Sequence, residues 1–345
     1  MKMKTNSKHV LRRTALAMFA AVCGLIFAAA NPAASKTPLA PGKDQPWPTK
    51  PIKLLVGFPA GSVQDISARI MAEPLSSALG QPVVVENKAG ASGSIAAALV
   101  AQATDSHTFG IMNNSQLTIA KLLNPRVTYD PATDLAPVAL IATSPLVLVV
   151  GGAAPGSTPS QWLAWLNALG VKGNFGSPGV GTPGHLGMEL IKTKAGGLQT
   201  THIPYPGNPQ VINALLSGEI QAALLPPGLV LQQIKAGKLR AIGTASETRS
   251  LLAPDLPTLR EASIMGVDVE LFTALAAPST ISPAIREKLG AAVIDAVKSP
   301  DTRQRLVTSG WQPAPSNAKG LSIKVRAETR RMGGIIELRN IRVDS

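Results

Sequence analysis

Two short loops carry the residue types best suited to gripping an anion. Phe58-Pro59-Ala60-Gly61-Ser62 closes an apolar run over 52–57 and leads into a helical pattern. Glu86-Asn87-Lys88-Ala89-Gly90-Ala91-Ser92-Gly93 follows the apolar run 83–85 and leads into small residues from about Ser94. Loops of this kind, running into helices, offer main-chain N–H groups and the positive ends of helix dipoles to a negative ligand. Asn113-Asn114-Ser115-Gln116 is a further polar loop at the end of the apolar run 108–112. Gly179-Val180-Gly181-Thr182-Pro183-Gly184 matches a dinucleotide fingerprint by count. Pro183 inside it, and the lack of a first βαβ unit with a well-placed acid, favour an anion-binding turn or a plain loop instead.

Asp65 fits three roles: a catalytic carboxylate, a ligand contact, or a helix-start residue that complements the dipole. Lys88 and Arg69 either steer anions or are ordinary solvated charges. His185 and His202 are isolated in sequence, and there is no HExxH pattern, so no metal site is expected. No GxSxG nucleophile elbow exists, and an exported hydrolase is the least favoured function class. No cofactor is expected.

The 345 residues suffice for one large or two ordinary domains. Aromatic residues make up 3% of the chain against 31 Gly and 29 Pro, so the core must be mostly aliphatic and the loops many. The formal net charge is +13, and Lys2, Lys4, Lys8, Arg12 and Arg13 fall in the first 30 residues, which hold no acid. Without them 28 basic side chains face 20 acidic ones, still +8. Such a surface favours anionic partners, and the absence of Lys/Arg clusters interleaved with aromatics points away from nucleic acid. Residues 1–13 are positive, 14–30 apolar, and Ala28-Ala29-Ala30 is a small-residue cleavage site. This reads as a secretory signal peptide cleaved near Ala30, shorter than the roughly 20 apolar residues of a membrane span. Cys23, the only cysteine, lies inside that run, so the mature chain is expected to be thiol-free. The expected product is an exported, periplasmic, soluble monomer, with residues 31–46 a flexible leader.

Along the chain, apolar runs alternate with helical spacing. A strand over 52–57, a helix over 63–79 stopped by Gly80, a strand over 83–85 and a helix from Ser94 read as parallel-sheet units, whose loops at the strand carboxyl ends form a ligand crevice. A strand over 108–112 and a short helix over 117–123 follow, and Leu135-Ala136-Pro137-Val138 reads as turn-like. The β-rich run 145–150 carries the chain out of the first lobe. The second half is built from the same kind of unit, with helices over 158–169, 186–194, 209–216 and 230–236, and strands over 174–177, 202–205, 220–225 and 239–244. The last of these strands returns the chain. Helices over 280–298, 301–309 and 317–334 complete it. The Trp162/Trp165 helix face reads as core packing. Two α/β lobes follow, 47–145 with 242–345 and 146–241, with a crevice between them.

The chain resembles the tripartite tricarboxylate transporter substrate-binding proteins, the Bug-type periplasmic solute receptors. The resemblance runs from Trp47 to about Pro313. It rests on Trp47-Pro48 with Lys50-Pro51-Ile52, Phe58-Pro59-Ala60-Gly61 with Asp65 and Ala68-Arg69, and Leu79-Gly80-Gln81-Pro82-Val83-Val84-Val85-Glu86-Asn87-Lys88. Gly90-Ala91 with Gly93, Tyr129-Asp130-Pro131, Asp134-Leu135-Ala136-Pro137-Val138, Gly184-His185-Leu186, His202-Ile203-Pro204-Tyr205 with Gly207, Gly237-Lys238-Leu239-Arg240 and Leu256-Pro257-Thr258 follow in order.

This resemblance implies a two-lobed, type II periplasmic binding fold of the α/β class, with the chain crossing twice between lobes. It implies capture of a small organic carboxylate for membrane permease subunits. A sensor that docks on a membrane kinase is the alternative, and neither is an enzyme. The implied ligand residues are Phe58, Ala60, Gly61, Ser62 and Asp65 of the first loop and Ala89, Gly90, Ala91 and Gly93 of the second. Asn113 of the third polar loop joins them, with Ser177, Thr182, His185, Tyr205 and Gly207 from the second lobe. Ser62 stands where the family usually has a second glycine, and residues 106–109 lack its proline–aspartate–glycine turn. Pro226-Pro227 replaces a polar or acidic residue, which suits a less polar distal end of the ligand.

Overall fold

The computed structural model describes residues 47–341. The expected signal peptide, the leader and Cys23 lie outside the described residues.

β1 (Ile52–Val56), α1 (Val63–Leu79), β2 (Val83–Asn87), α2 (Ser94–Ala101) and β3 (Thr108–Met112) form strand–helix units in which β1 pairs in parallel with both β2 and β3. A π-type turn, Ser115–Ile119, runs into α3 (Ala120–Leu123). β4 (Leu135–Pro145) is followed after the single buried residue Leu146 by β5 (Val147–Gly151). Then come α4 (Pro159–Leu169), β6 (Asn174–Ser177), α5 (Pro183–Lys194), β7 (Thr201–Pro204), α6 (Asn208–Ser217), β8 (Ala222–Leu225), α7 (Pro227–Lys235) and β9 (Leu239–Thr244). The chain ends with β10 (Glu270–Pro278), α8 (Pro283–Lys298), α9 (Pro300–Thr308), β11 (Gln312–Asn317) and α10 (Ala318–Leu338).

These strands make two sheets, ordered β11-β4-β10-β3-β1-β2 and β7-β6-β8-β5-β9. The chain passes between them twice, at Leu146 and after β9. The Ala245 N–H donates to the Leu146 carbonyl at 2.7 Å, so the two crossings lie side by side. This is the expected two-lobed α/β architecture.

Side-chain alternation gives each sheet two buried faces. In the first lobe Ile52, Leu54 and Val56 pack with Met71 and Leu75 of α1 and Leu289 and Val293 of α8. Leu55, Met112, Phe272 and Ala274 face the other way, against Ala97 and Val100 of α2 and Leu321 of α10. In the second lobe Val147 and Val149 face Val211 and Leu215 of α6, while Leu148 and Val150 belong with Leu166 of α4 and Leu186 of α5. Helix starts follow local capping chemistry. Ser62, Thr158, Thr182, Ser282, Ser299 and Asn317 each accept a hydrogen bond from a first-turn N–H.

Several sequence expectations change. Leu135–Val138 is not a turn but the start of β4; Pro137 fits there because it lies beside a register shift against β10. β10 and β11, unforeseen in the sequence, are the antiparallel strands that flank β4. The third loop is helical from Ser115 rather than Leu117, and α5 begins at Pro183 rather than Leu186. β9 stays in the second sheet through Thr244, so a lobe boundary at Ala241 cuts the strand.

Candidate functional site

A cleft of about 520 Å³ opens between the lobes. Its walls come from loops at the carboxyl ends of parallel strands: Gly57 and Phe58 after β1, Ala89–Ser94 after β2, Ser115 after β3, Pro178–Gly181 after β6 and Pro204–Pro206 at β7. This is where an open α/β sheet gathers its loops.

One end of the cleft is polar. The Ser115 hydroxyl and the Gln116 side-chain amide nitrogen are both buried with no intramolecular hydrogen-bond partner. Gln116 Oε1 accepts from the Asn113 N–H (3.0 Å), and Asn113 Oδ1 accepts from the Ser115 N–H (2.9 Å), so the loop after β3 is held by its own side chains. Glycine is required where three loops converge. A Cβ on Gly57 would sit 2.5 Å from the Gly93 Cα, and one on either Gly57 or Gly93 would sit 2.7 Å from Gln116 Nε2. Gly93 also has φ +92°, a left-handed backbone that side chains disfavour. The other end is apolar, with Ile119, Leu123, Val127 and Val180 in its wall. No charged side chain lines the cleft among the described residues.

The expected ligand residues divide. Phe58, Ala89, Gly90, Ala91, Gly93 and Tyr205 stand in the cleft wall. Asn113 and Thr182 border a smaller space of about 20 Å³ behind Phe58 and Pro178, with Gln64 beside them. That is room for about one water molecule. Ala60, Gly61, Ser62, Asp65, Ser177, His185 and Gly207 are not in the cleft wall. Ser62 caps α1 and Thr182 caps α5. The Gly61 N–H is engaged by Asp65 rather than pointing to the cleft. Gly207 backs onto Pro59 of the other lobe, 3.0 Å from where a Cβ would stand. Ser92, Ser94, Ser115 and Gln116 belong to the site although sequence reasoning places them only in loops.

Asp65 holds the site together from behind. Its carboxylate accepts from the Gly61 N–H (3.0 Å), Asn87 Nδ2 (3.0 Å) and Arg69 Nε (3.0 Å). Asn87 Nδ2 also donates to the Phe58 carbonyl at 3.0 Å. Burial pushes the Asp65 carboxyl up, but Arg69, the Gly61 N–H and Asn87 together outweigh it and hold it below the usual range. Arg69 is therefore engaged with Asp65 rather than free. Asp65→Ala leaves the Gly61 and Asn87 donors unpaired. It is expected to cost about 1–3 kcal/mol in urea unfolding and to weaken ligand binding without touching the ligand.

In the second lobe, His185 and His202 stack with centroids 3.9 Å apart. His185 Nδ1 accepts from the Gly181 N–H (3.1 Å), and His202 Nε2 lies 2.7 Å from Ser177 Oγ. The Ser–His pair has the spacing of a nucleophile and its base. Ser177, however, is fully buried outside the cleft wall, and its hydroxyl also donates to the Gly179 carbonyl at 2.9 Å. Burial, then His185, lowers His202 to about 3, which leaves it a poor base. Burial, then Lys192, lowers His185 to about 4. Both rings are neutral at pH 7. An unfolded chain takes up these protons near pH 6.5 and the folded chain only near 4 and 3. The stability present above pH 6.5 should thus drain away as pH falls towards 3. Thermal unfolding from pH 7 to pH 4 should show the decline, less steep in His202→Asn.

The lobes touch across the cleft. Ser92 Oγ donates to the Val180 carbonyl (2.7 Å), and Arg339 beyond α10 pairs with Glu189 of α5 (3.0 Å). Among the described residues no group of three or more His, Cys, Asp or Glu could hold a metal ion, and no helix is long and apolar enough to cross a membrane.

Residues 67–341 match the TctC family, described as the tripartite tricarboxylate transporter family receptor. BugT of Bordetella pertussis is 30% identical over 321 residues, covering 92% of this chain and 95% of its own. The R. palustris protein Rpa4515, solved with adipate, superposes with a TM-score of 0.82 at 28% identity, covering 86% of this chain and 99% of its own. MatC from Rhodopseudomonas palustris, solved with malate, gives 0.78 at 28% identity over 84% and 100%. With its paired sheets, double crossing and strand-end cleft, the chain belongs to the tripartite tricarboxylate transporter receptor family of Bug-type solute-binding proteins.

Proposed function

We propose that the protein is a periplasmic receptor that closes on a small organic carboxylate and delivers it to the membrane subunits of a tripartite tricarboxylate transporter. The observation that carries this reading is the polar end of the cleft. There the buried, unpartnered Ser115 hydroxyl and Gln116 amide converge with the glycine-lined loops after β1 and β2. Donors already fixed in place and shielded from water stabilise an anion without reorganising, and closure strengthens them by lowering the local dielectric. Adipate and malate in two relatives of the same fold support the ligand class. Among the described residues the cleft wall holds neither a nucleophile–base pair nor a metal-ligand cluster, in keeping with binding rather than turnover. Calorimetric titration of the purified protein with a panel of carboxylates is the test. Saturable heats with at least one acid are expected, and a folded sample silent to all of them would contradict the proposal.

A further inference from the structure

We infer that the ligand carries a single acid group on an uncharged, largely apolar body, so that this receptor prefers monocarboxylates to the dicarboxylates of equal length. That preference rests on the carboxylate reading above and narrows it.

The cleft is polarised along its length. Ser115 Oγ and Gln116 Nε2 supply donors at one end. Ile119, Leu123, Val127 and Val180 form the other, with the ring of Tyr205 beside them. Tyr205 is not a free donor there, since its hydroxyl already donates to Glu219 at 2.7 Å. Nearby cations are engaged as well. Arg69 is paired with Asp65 (3.0 Å) and Lys88 with Glu86 (3.4 Å). Lys121 Nζ donates to the carbonyls of Pro125 (3.3 Å) and Val127 (3.1 Å).

A second carboxylate at the apolar end would lose its water on closure and meet no opposite charge. An isolated charge moved out of water is strongly disfavoured even after relaxation. The helix starts of the second lobe do not change this. Pro226, at the N-cap of α7, has no N–H and no side-chain polar atom, and together with Leu224, Leu146 and Leu271 it lines the space behind the cleft. An alkyl or aromatic body, by contrast, buries apolar surface favourably against these walls. The cleft volume of about 520 Å³ falls inside the roughly 300–1,000 Å³ of pockets that hold ligands larger than a four-carbon acid.

The test is calorimetry at pH 7.5 on the purified protein with length-matched pairs, hexanoate against adipate and benzoate against terephthalate. In each pair the monocarboxylate is expected to bind about tenfold tighter or better, a difference of about 1.4 kcal/mol or more. A smaller ratio, or an inverted one, would overturn the inference while leaving the carboxylate reading in place. If a folded sample bound neither member of either pair and no other carboxylate, the carboxylate reading would fall and this inference with it.

Discussion

Ser115→Ala is expected to leave the protein as stable as before while cutting carboxylate affinity by about ten- to a hundredfold. The two halves of that expectation have one cause. The Ser115 hydroxyl is buried at 3% exposure and has no partner within the chain. Removing it therefore leaves no other group unpaired and takes away a buried polar atom whose hydrogen bonding is unmet, a change close to neutral or slightly stabilising. In the liganded protein the same hydroxyl faces a charged acceptor, and hydrogen bonds to charged groups contribute about 1.5–3 kcal/mol, which converts to the stated range. Titration calorimetry and thermal unfolding of the same samples separate the outcomes. Unchanged affinity would move the acid group away from Ser115. A fall in melting temperature along with affinity would make the hydroxyl a structural one.

Gly228→Ala is expected to weaken binding at least as much, by a different route. Gly228 lies in the first turn of α7, where Ala is intrinsically better than Gly by about 1 kcal/mol. Its Cα faces the chain after α9 in the other lobe. A Cβ there would stand 2.0 Å from the Ser309 carbonyl oxygen and 2.8 Å from the Gly310 Cα. Main chain on both sides cannot swing aside as a side-chain tip would, so the lobes themselves must part. The contact adjoins the crossing strands, because Ser144 Oγ at the end of β4 donates to the Gly310 carbonyl at 2.8 Å. Far-UV circular dichroism should therefore be unchanged. Small-angle scattering should show a larger radius with ligand present, and affinity should fall about a hundredfold, the equivalent of about 2.8 kcal/mol. A variant that binds and compacts like the parent would show that the lobes tolerate the methyl group and that the close approach is incidental.

Local chemistry makes much of the fold legible. α1 is readable to the residue because its apolar spacing is bracketed by Ser62, a strong cap, and Gly80 at φ +70°. β3, β6 and β9 are readable as short apolar runs between turn residues. β10 and β11 are not. Glu270–Pro278 is buried along nearly its whole length, so it shows no alternation, and Gln312–Asn317 contains two prolines and little apolar character. What makes them strands is pairing with β4, a long-range fact no local window contains. Leu135–Val138 misleads for the same reason, since Pro137 reads as a turn residue unless its bulged partner strand is known.

The site divides along similar lines. The loops are readable because glycine-rich segments at strand ends are local patterns, and Phe58, Gly90 and Gly93 come with them. Which side chain in a loop turns inward is not. Asn113 reads as the polar contact of its loop, but the π-type turn beginning at Ser115 sends Asn113 to a tie within the loop and leaves Ser115 in the cleft wall. Asp65 is legible as a helix-start acid and as a ligand contact. Its carboxylate is taken up by Gly61, Asn87 and Arg69, partners that only the folded arrangement of α1 and β2 supplies.

A crystal structure of the protein with a bound monocarboxylate tests the central claim most directly. A carboxylate oxygen is expected within about 2.5–3.0 Å of Ser115 Oγ, beside Gly93 and Gln116, with the body of the ligand running towards Ile119 and Val180. A ligand seated with its acid group at the Leu123–Tyr205 end, or outside the interlobe cleft altogether, would contradict that claim.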